Sequence, residues 1–209
     1  MRTLHVVTHP EATHHVDGLV GGWYDSALTP AGHRAAAAVA RSLRARIAEG
    51  ADVELFTSDL LRTAQTAAAV AELFGIEPVA DSRLREKSFG EAEGRPKAWL
   101  DERYVRPAPG RDRMGHDGVP GVESVAALAK RIYAAMDDIL ARPCENQIVV
   151  THGFALTYVV AHWIGMPVES TGVVAFPVAS GSITVLRADD RFGGRALACL
   201  GETGHLDGR

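Results

Sequence analysis

The chain alternates short apolar runs with longer segments whose apolar residues recur at helical spacing. The runs typical of strands are 4–8, 53–57, 147–151, 182–187 and 195–200. The segments typical of helices are 30–50, 58–74, 121–140 and 153–165. Because strands that alternate with long helices favour a parallel sheet, we expect an α/β three-layer sandwich. In it, helices cover both faces of a mostly parallel central sheet.

Capping signals predict where two of the helices begin and end. Thr29 places a hydroxyl at an N-cap, and Pro30 suits the first helical position. We expect Gly50 to end this helix. Ser58 is the expected cap of the next helix, and Gly75 is its expected end.

Residues 85–119 lack clean periodicity and are rich in glycine and proline. Such a stretch between regular elements predicts a lid-like insert over a site. The sequence shows no repeat and no linker, so we expect residues 1–209 to form a single domain. The polar residues 201–209 are expected to form a loose tail.

Composition places the chain among ordinary globular proteins, with 46% hydrophobic and 23% charged residues and a mean hydropathy of −0.01. A net charge of −4 disfavours a nucleic-acid partner.

No apolar run is long enough for a membrane span or a signal peptide, so we expect a cytoplasmic protein without a membrane partner. The two cysteines form no disulfide framework, and nothing in the pattern demands an oligomer, although a homodimer stays open.

Polar residues follow three of the predicted strands. His9 comes directly after the first strand, Arg62 lies five residues past the second, and His152 follows the strand at 147–151. Because ligands bind at the carboxyl ends of parallel strands, these residues are expected to share one pocket.

This set of side chains favours phosphoryl transfer. A neutral imidazole can attack phosphorus, while a second histidine and an arginine hold the charged oxygens. The leaving oxygen needs a carboxylic acid. Glu86, in the irregular stretch, is the candidate, with Asp59, Glu91 and Glu93 as alternatives.

Six segments, taken in order, resemble the histidine phosphatase superfamily in its phosphoglycerate-mutase-like branch. They are 8–12 (Thr-His-Pro-Glu-Ala), 22–32, 58–67, 84–94, 121–124 and 151–153 (Thr-His-Gly). The resemblance implies that His9 accepts the phosphoryl group and that Arg62 and His152 bind it. Glu86 would donate a proton and then activate water. A small phosphorylated substrate is implied, with no metal ion and no organic cofactor.

The chain departs from the family pattern around the nucleophile. Thr8 and Pro10 stand where the family has arginine and glycine, and His15 and Leu19 stand where it commonly has asparagine and arginine. Losing one charged donor costs about 1.5–3 kcal/mol of oxyanion binding, so the phosphate pocket is expected to be weakened.

Nearby residues offer partial replacements for this charge. We expect Thr8, His14, His15 and Trp23 to contact substrate, and protonated His14 or His15 to tighten phosphate binding at mildly acidic pH. Three arginines are further candidates, namely Arg85, Arg111 and Arg113. His116, among glycines, is expected to be exposed.

The leading hypothesis is therefore a phosphatase that acts on a phosphate monoester. A phosphoglycerate-type mutase is the alternative within the same fold, disfavoured by the missing arginine and the modest insert. A metal-dependent hydrolase is a second alternative, although the spacing matches no metal motif; its candidate ligands are His9, His14, His15, His152 and Asp25. A non-catalytic phospho-ligand-binding protein is the third. The substrate is not identified, and Trp23, Tyr24 and 87–119 are expected to select it.

Overall fold

The structure, a computed structural model, describes residues 2–105, 113–115, 118–189 and 193–207. Within these ranges the strands are β1 (Thr3–Thr8), β2 (Val53–Thr57), β3 (Pro78–Ala80), β4 (Asn146–Thr151), β5 (Ile183–Ala188) and β6 (Arg195–Glu202). The α-helices are α1 (Thr13–Val16), α2 (Pro30–Arg46), α3 (Leu61–Phe74), α4 (Lys97–Asp101), α5 (Val125–Ala141) and α6 (Gly153–Trp163).

The described strands form one sheet in the order β3-β2-β4-β1-β5-β6. Strands β3, β2, β4 and β1 are parallel, whereas β5 is antiparallel to β1 and β6 is antiparallel to β5. Thr8 at the end of β1 is in register with Thr151 at the end of β4. The residues that follow these two strands therefore emerge side by side.

Alternate residues of the central strands pack against helices on opposite faces of the sheet. Val6 and Val149 join the core that contains α5 and α6, whereas Val7, Ile148 and Val150 join the core with α2 and α3. Successive side chains of a strand point to opposite faces, so both faces of these strands need a helical cover. The expected α/β sandwich with a mostly parallel sheet is confirmed.

The structure confirms some of the predicted helix ends and corrects others. Thr29 caps α2 as expected, since its hydroxyl accepts from the Gly32 N–H at 3.0 Å, but α2 ends at Arg46 rather than near Gly50. Helix α3 ends at Gly75, whose φ of 67° suits a glycine C-cap.

Ser58, however, does not cap α3, which starts after Leu60. Its hydroxyl contacts His152 Nε2 at 3.0 Å instead. The serine expected to begin a helix is thus part of the site.

The irregular stretch and the C-terminal segment contain more regular structure than expected. Residues 85–105 include α4 and a 3-10 helix at Gly90–Ala92, which packs its Ala92 into a small core with Val20. The tail predicted to be loose from residue 201 is ordered through residue 206, because β6 extends to Glu202 and a 3-10 helix follows at Gly204–Leu206.

Candidate active site

The two histidines at the strand ends lie next to each other. His9 follows β1, and its N–H donates to the Thr151 carbonyl at 3.1 Å, which continues the β1–β4 pairing. His152 follows β4 and precedes the first residue of α6. The ring centroids of His9 and His152 are 5.1 Å apart, with the rings edge to face. The parallel register of β1 and β4 thus brings together two residues that are distant in sequence.

His9 is held with a lone pair on Nε2. Arg62 Nε, which can only donate, lies 3.1 Å from His9 Nε2, so that nitrogen accepts. The proton is therefore on Nδ1, which donates to the Pro10 carbonyl at 2.8 Å. Burial, and then the Arg62 charge, holds the pKa of His9 well below its usual value. His9 is accordingly a neutral, oriented imidazole, as a nucleophile must be.

Arg62 is a buried cation fixed at three points. Besides His9, its guanidinium donates to the carbonyls of Tyr24 at 2.9 Å and Gly22 at 2.7 Å. Burial lowers the pKa of Arg62 to about 10, which leaves it charged near neutral pH. Such a positioned charge suits the oxygens of a transferring phosphoryl group.

His152 is fully buried next to His9 and is not among the residues that line the cavity at His9. Burial, and then Arg62, lowers its pKa well below the usual value, so it is neutral. While Nε2 contacts Ser58, the buried Nδ1 has no partner among the described residues. A buried polar atom without a partner is uncommon and suggests a ligand contact.

Glu86 reaches the site by binding the start of α6. Its carboxylate accepts from the N–H groups of Phe154 and Ala155, each at 3.0 Å, and of Lys87 at 2.9 Å. Burial raises the pKa of Glu86, and these hydrogen bonds together with Arg62 oppose the rise. The raised pKa favours the protonated form that a general acid requires.

Trp23 supports the backbone of Glu86 and does not line the cavity. Its indole N–H donates to the Glu86 carbonyl at 2.7 Å, and Arg131 donates to the same oxygen at 2.7 Å. Trp23, which is predicted to contact substrate, therefore holds the backbone of Glu86 instead of lining the cavity.

His14 and His15 both line the cavity beside His9. Because His15 Nδ1 accepts from the Ala12 N–H at 3.1 Å, its Nε2 carries the proton in the neutral ring. His14 Nδ1 contacts Ser26 Oγ at 2.6 Å. A Cβ at Gly21 would lie 2.7 Å from His14 Nε2, so only glycine leaves room for this ring.

The structure argues against protonated histidines as a replacement for the missing arginine. Burial, and then the proximity of His15, lowers the pKa of His14 to about 3, and burial also lowers that of His15. In the free protein His14 therefore stays neutral at mildly acidic pH. Its protonation can tighten phosphate binding at mildly acidic pH only where the bound phosphate itself raises this pKa.

Thr8 borders the cavity, but its hydroxyl binds the neighbouring segment 179–182. Oγ1 donates to the Ala179 carbonyl at 2.8 Å, accepts from the Ser182 N–H at 3.2 Å and contacts Ser182 Oγ at 3.1 Å. Ala179 lines the cavity as well. Thr8 thus ties the strand that ends next to His9 to the 179–182 segment.

Replacing Thr8 with valine should destabilise the protein by about 1–3 kcal/mol, because the shape is kept while buried partners lose their hydrogen bonds. Urea unfolding measures this change. Thr3→Val, at the start of the same strand, is the control and should shift stability by less than about 0.5 kcal/mol. Equal stability of the two variants would show that the Thr8 hydroxyl does not hold this wall.

The cavity at His9, the candidate catalytic cavity, has a volume of about 290 Å³. Its lining includes Phe89 and Lys97 from 87–119, the stretch expected to select the substrate, and three residues that the sequence did not indicate, namely Val178, Ala179 and Ser180. Lys97 begins the short helix α4 inside the aperiodic stretch, so no pattern singled it out. It adds a second cation to the one supplied by Arg62.

The other predicted candidates lie elsewhere. Arg85 forms a salt bridge with Asp59 at 2.6 Å, and Arg113 donates to the carbonyls of Gly172 and Val174. Glu93 accepts from the N–H groups of Trp23 and Phe89, and Glu91 is exposed, so Glu86 is the one predicted acid that lines the cavity. Arg111 and His116 lie outside the described residues.

Among the residues with described positions, no group of three or more His, Cys, Asp or Glu side chains could hold a metal ion. Asp25, a proposed ligand, accepts from the Leu61 N–H at 2.6 Å. The described helices include none that is long and apolar enough to cross a membrane.

The family model of the histidine phosphatase superfamily (branch 1) matches residues 4–198. This chain belongs to the histidine phosphatase superfamily. A protein of Yersinia enterocolitica named "Probable phosphoglycerate mutase GpmB" is 31% identical over 213 residues, covering 99% of this chain and 96% of the relative. Its Yersinia pestis counterpart is 30% identical with the same coverage.

Solved structures of histidine phosphatase fold proteins match the whole architecture. A mycobacterial glucosyl-3-phosphoglycerate phosphatase in complex with VO3 superimposes with a TM-score of 0.79 at 24% identity, covering 97% of this chain and 100% of that one. YhfR of Bacillus stearothermophilus gives a TM-score of 0.76 at 24% identity, covering 99% and 100% of the two chains. At this identity the two matches show a shared fold.

Proposed function

We propose that this member of the histidine phosphatase superfamily is a phosphatase that hydrolyses a small phosphate monoester through a phosphohistidine on His9. The observation that carries the proposal is the state of His9, a neutral imidazole whose unprotonated Nε2 is aligned by Arg62. Glu86 lines the same cavity as the acid. The substrate is a small phosphorylated molecule.

In the first step, the Arg62 Nε–H turns from His9 Nε2 to a phosphoryl oxygen, and the freed lone pair of Nε2 forms a bond to phosphorus. The bond between phosphorus and the leaving oxygen breaks with its electron pair, and that oxygen takes the Glu86 proton. We assign the phosphoryl oxygens to Arg62, and also to the unpartnered Nδ1 of His152 once this buried ring turns toward the cavity. The alcohol then leaves.

In the second step, water replaces the alcohol. Glu86, now a carboxylate, takes a proton from the water as its oxygen bonds to phosphorus, and the N–P bond breaks with its electron pair returning to His9. Inorganic phosphate leaves, and the protonated Glu86 is restored. Neither step uses a metal ion or an organic cofactor.

The decisive experiment traps the intermediate. We expect brief incubation with a ³²P-labelled monoester, followed by an alkaline quench, to leave label on the chain at His9.

Because the scheme needs no metal, hydrolysis of p-nitrophenyl phosphate from pH 5 to 8 should persist in EDTA. Loss of activity in EDTA, restored by a divalent ion, would contradict the scheme and favour a metal-dependent hydrolase.

A phosphoglycerate mutase is the second candidate, because the relatives at 30–31% identity bear that name. A mutase would return the phosphoryl group to the product rather than to water. Measuring 3-phosphoglycerate and 2-phosphoglycerate separates the two. Interconversion without release of inorganic phosphate favours the mutase, whereas release of phosphate favours the phosphatase.

A further inference from the structure

A second cavity of about 300 Å³ lies against the catalytic cavity. Phe89 lines both of them. At three further places, residues close together in the chain line different cavities. Glu86, Gly153 and Lys97 line the catalytic cavity, whereas Lys87, Phe154 and Leu100 line the second one. The two cavities therefore share a wall built from three chain segments.

The chemistry of the proposed function directs the leaving group toward this wall. The phosphorus must lie at His9, and the leaving oxygen must lie at Glu86, which donates the proton. The organic part of the ester then extends beyond Glu86. Lys87, the next residue, already belongs to the second cavity, so this cavity lies on the side of the leaving group.

The lining of the second cavity combines aromatic faces with cations. Lys87 Nζ lies 5.4 Å from the ring centroid of Phe89, and Arg113 Cζ lies 6.0 Å from that of Phe154. Leu100, Tyr104 and Val125 add apolar surface, and the one carboxylate of the lining, on Asp101, is exposed to solvent. Glu123 and Glu86 also act on Lys87 from outside the lining, but Glu123 forms a salt bridge with Arg131 at 2.7 Å, and Glu86 is the acid of the proposed function. Flat apolar walls beside buried or half-buried cations suit a ring that carries a negative charge.

We propose that the second cavity is the subsite for the leaving group, and that the substrate is a phosphate monoester of an alcohol with an apolar ring and an anionic substituent. The inference rests on the proposed phosphatase function. Phe89 would pack against the ring, and Lys87 would face the anionic substituent. Burial lowers the pKa of Lys87 to about 8, which leaves the ammonium form dominant at neutral pH.

Three esters with similar leaving oxygens test the subsite. They are phenyl phosphate, 2-naphthyl phosphate and 6-phosphooxy-2-naphthoate, in which first a ring and then a carboxylate is added. We expect kcat/KM to rise about tenfold at each addition, which is the usual range for one well-placed apolar group or ion pair. Equal kcat/KM for all three esters would overturn the proposal.

Two variants test whether the second cavity causes any preference among the three esters. Leu100→Trp should fill it and lower the ratio of naphthyl to phenyl kcat/KM about tenfold, while Lys87→Met should remove the preference for the carboxylate. Leu73→Trp, the same substitution at a half-exposed helical leucine of α3, is the control and should leave both ratios unchanged. Preferences that persist in Leu100→Trp and Lys87→Met would also overturn the proposal.

The result with phenyl phosphate separates the phosphatase proposal from the subsite proposal. If phenyl phosphate is hydrolysed in a His9-dependent manner without any preference among the esters, the phosphatase stands and the subsite falls. If none of the esters is hydrolysed, the proposed function fails and the subsite fails with it.

Discussion

Replacing His9 with alanine should lower kcat for p-nitrophenyl phosphate by about 10³-fold or more, because it removes the atom that bonds to phosphorus. Among the neighbouring histidines, His15 carries its proton on Nε2 and His152 Nε2 contacts Ser58 Oγ, whereas His9 Nε2 is unprotonated and aligned by Arg62. Steady-state kinetics, with ³²P trapping on the same protein, measures the loss.

The control for this variant is His33→Ala, an exposed histidine on α2. It should retain wild-type kcat, because it removes an imidazole from the surface and leaves the cavity intact. A His9→Ala protein that keeps activity within tenfold of wild type would show that the nucleophile is water or another residue. In that case the phosphohistidine scheme would be wrong.

The central part of the site could be predicted from the sequence because it depends on the sheet. His9 and His152 each follow an apolar strand directly, and parallel strands end at the same edge. Arg62 lies in the first turn of the helix after β2, so its position follows from the same rule. Periodicity and topology, without side-chain detail, were enough to bring these three residues together.

The remaining cavity wall follows from contacts that have no periodic signature. Lys97 lines the cavity from a helix of five residues in the aperiodic stretch. Val178 and Ser180 line it from the connection before β5. Similarly, Ser58 looks like a helix cap by type and position, yet its hydroxyl binds His152. Local propensity predicts such residues poorly because long-range packing decides where they point.

The departure at Thr8 removes one charged donor from the proposed phosphate site. In place of a charged side chain, the structure offers a threonine hydroxyl that is already bound to Ala179 and Ser182. The charged donors that remain in the cavity are Arg62 and Lys97, and others, such as the Nε2–H of His15, are neutral. A neutral donor contributes about 0.5–1.5 kcal/mol, compared with about 1.5–3 for a charged one. We therefore expect weak binding of inorganic phosphate, which would also ease its release as product.

Replacing Glu86 with glutamine should lower kcat/KM for phenyl phosphate by about 10²–10⁴-fold, because the leaving phenolate then departs without a proton. The loss of kcat/KM for p-nitrophenyl phosphate should be much smaller, since nitrophenolate is a stable anion, whereas kcat should fall for both esters because Glu86 also activates the water of the second step. Burial raises the pKa of Glu86, so the wild-type enzyme loses its acid as pH rises through that raised value. Its rate should fall on the alkaline side, and Glu86→Gln should abolish that fall.

The difference between the two esters separates catalysis from support, because Glu86 also binds the first turn of α6. A group that only held Phe154 and Ala155 in place would affect both esters equally and would leave the pH profile unchanged. Glu91→Gln, an exposed glutamate of the same stretch, should match wild type with both esters at every pH. An equal loss of kcat/KM for both esters in Glu86→Gln would show that Glu86 does not protonate the leaving group and would require another proton donor.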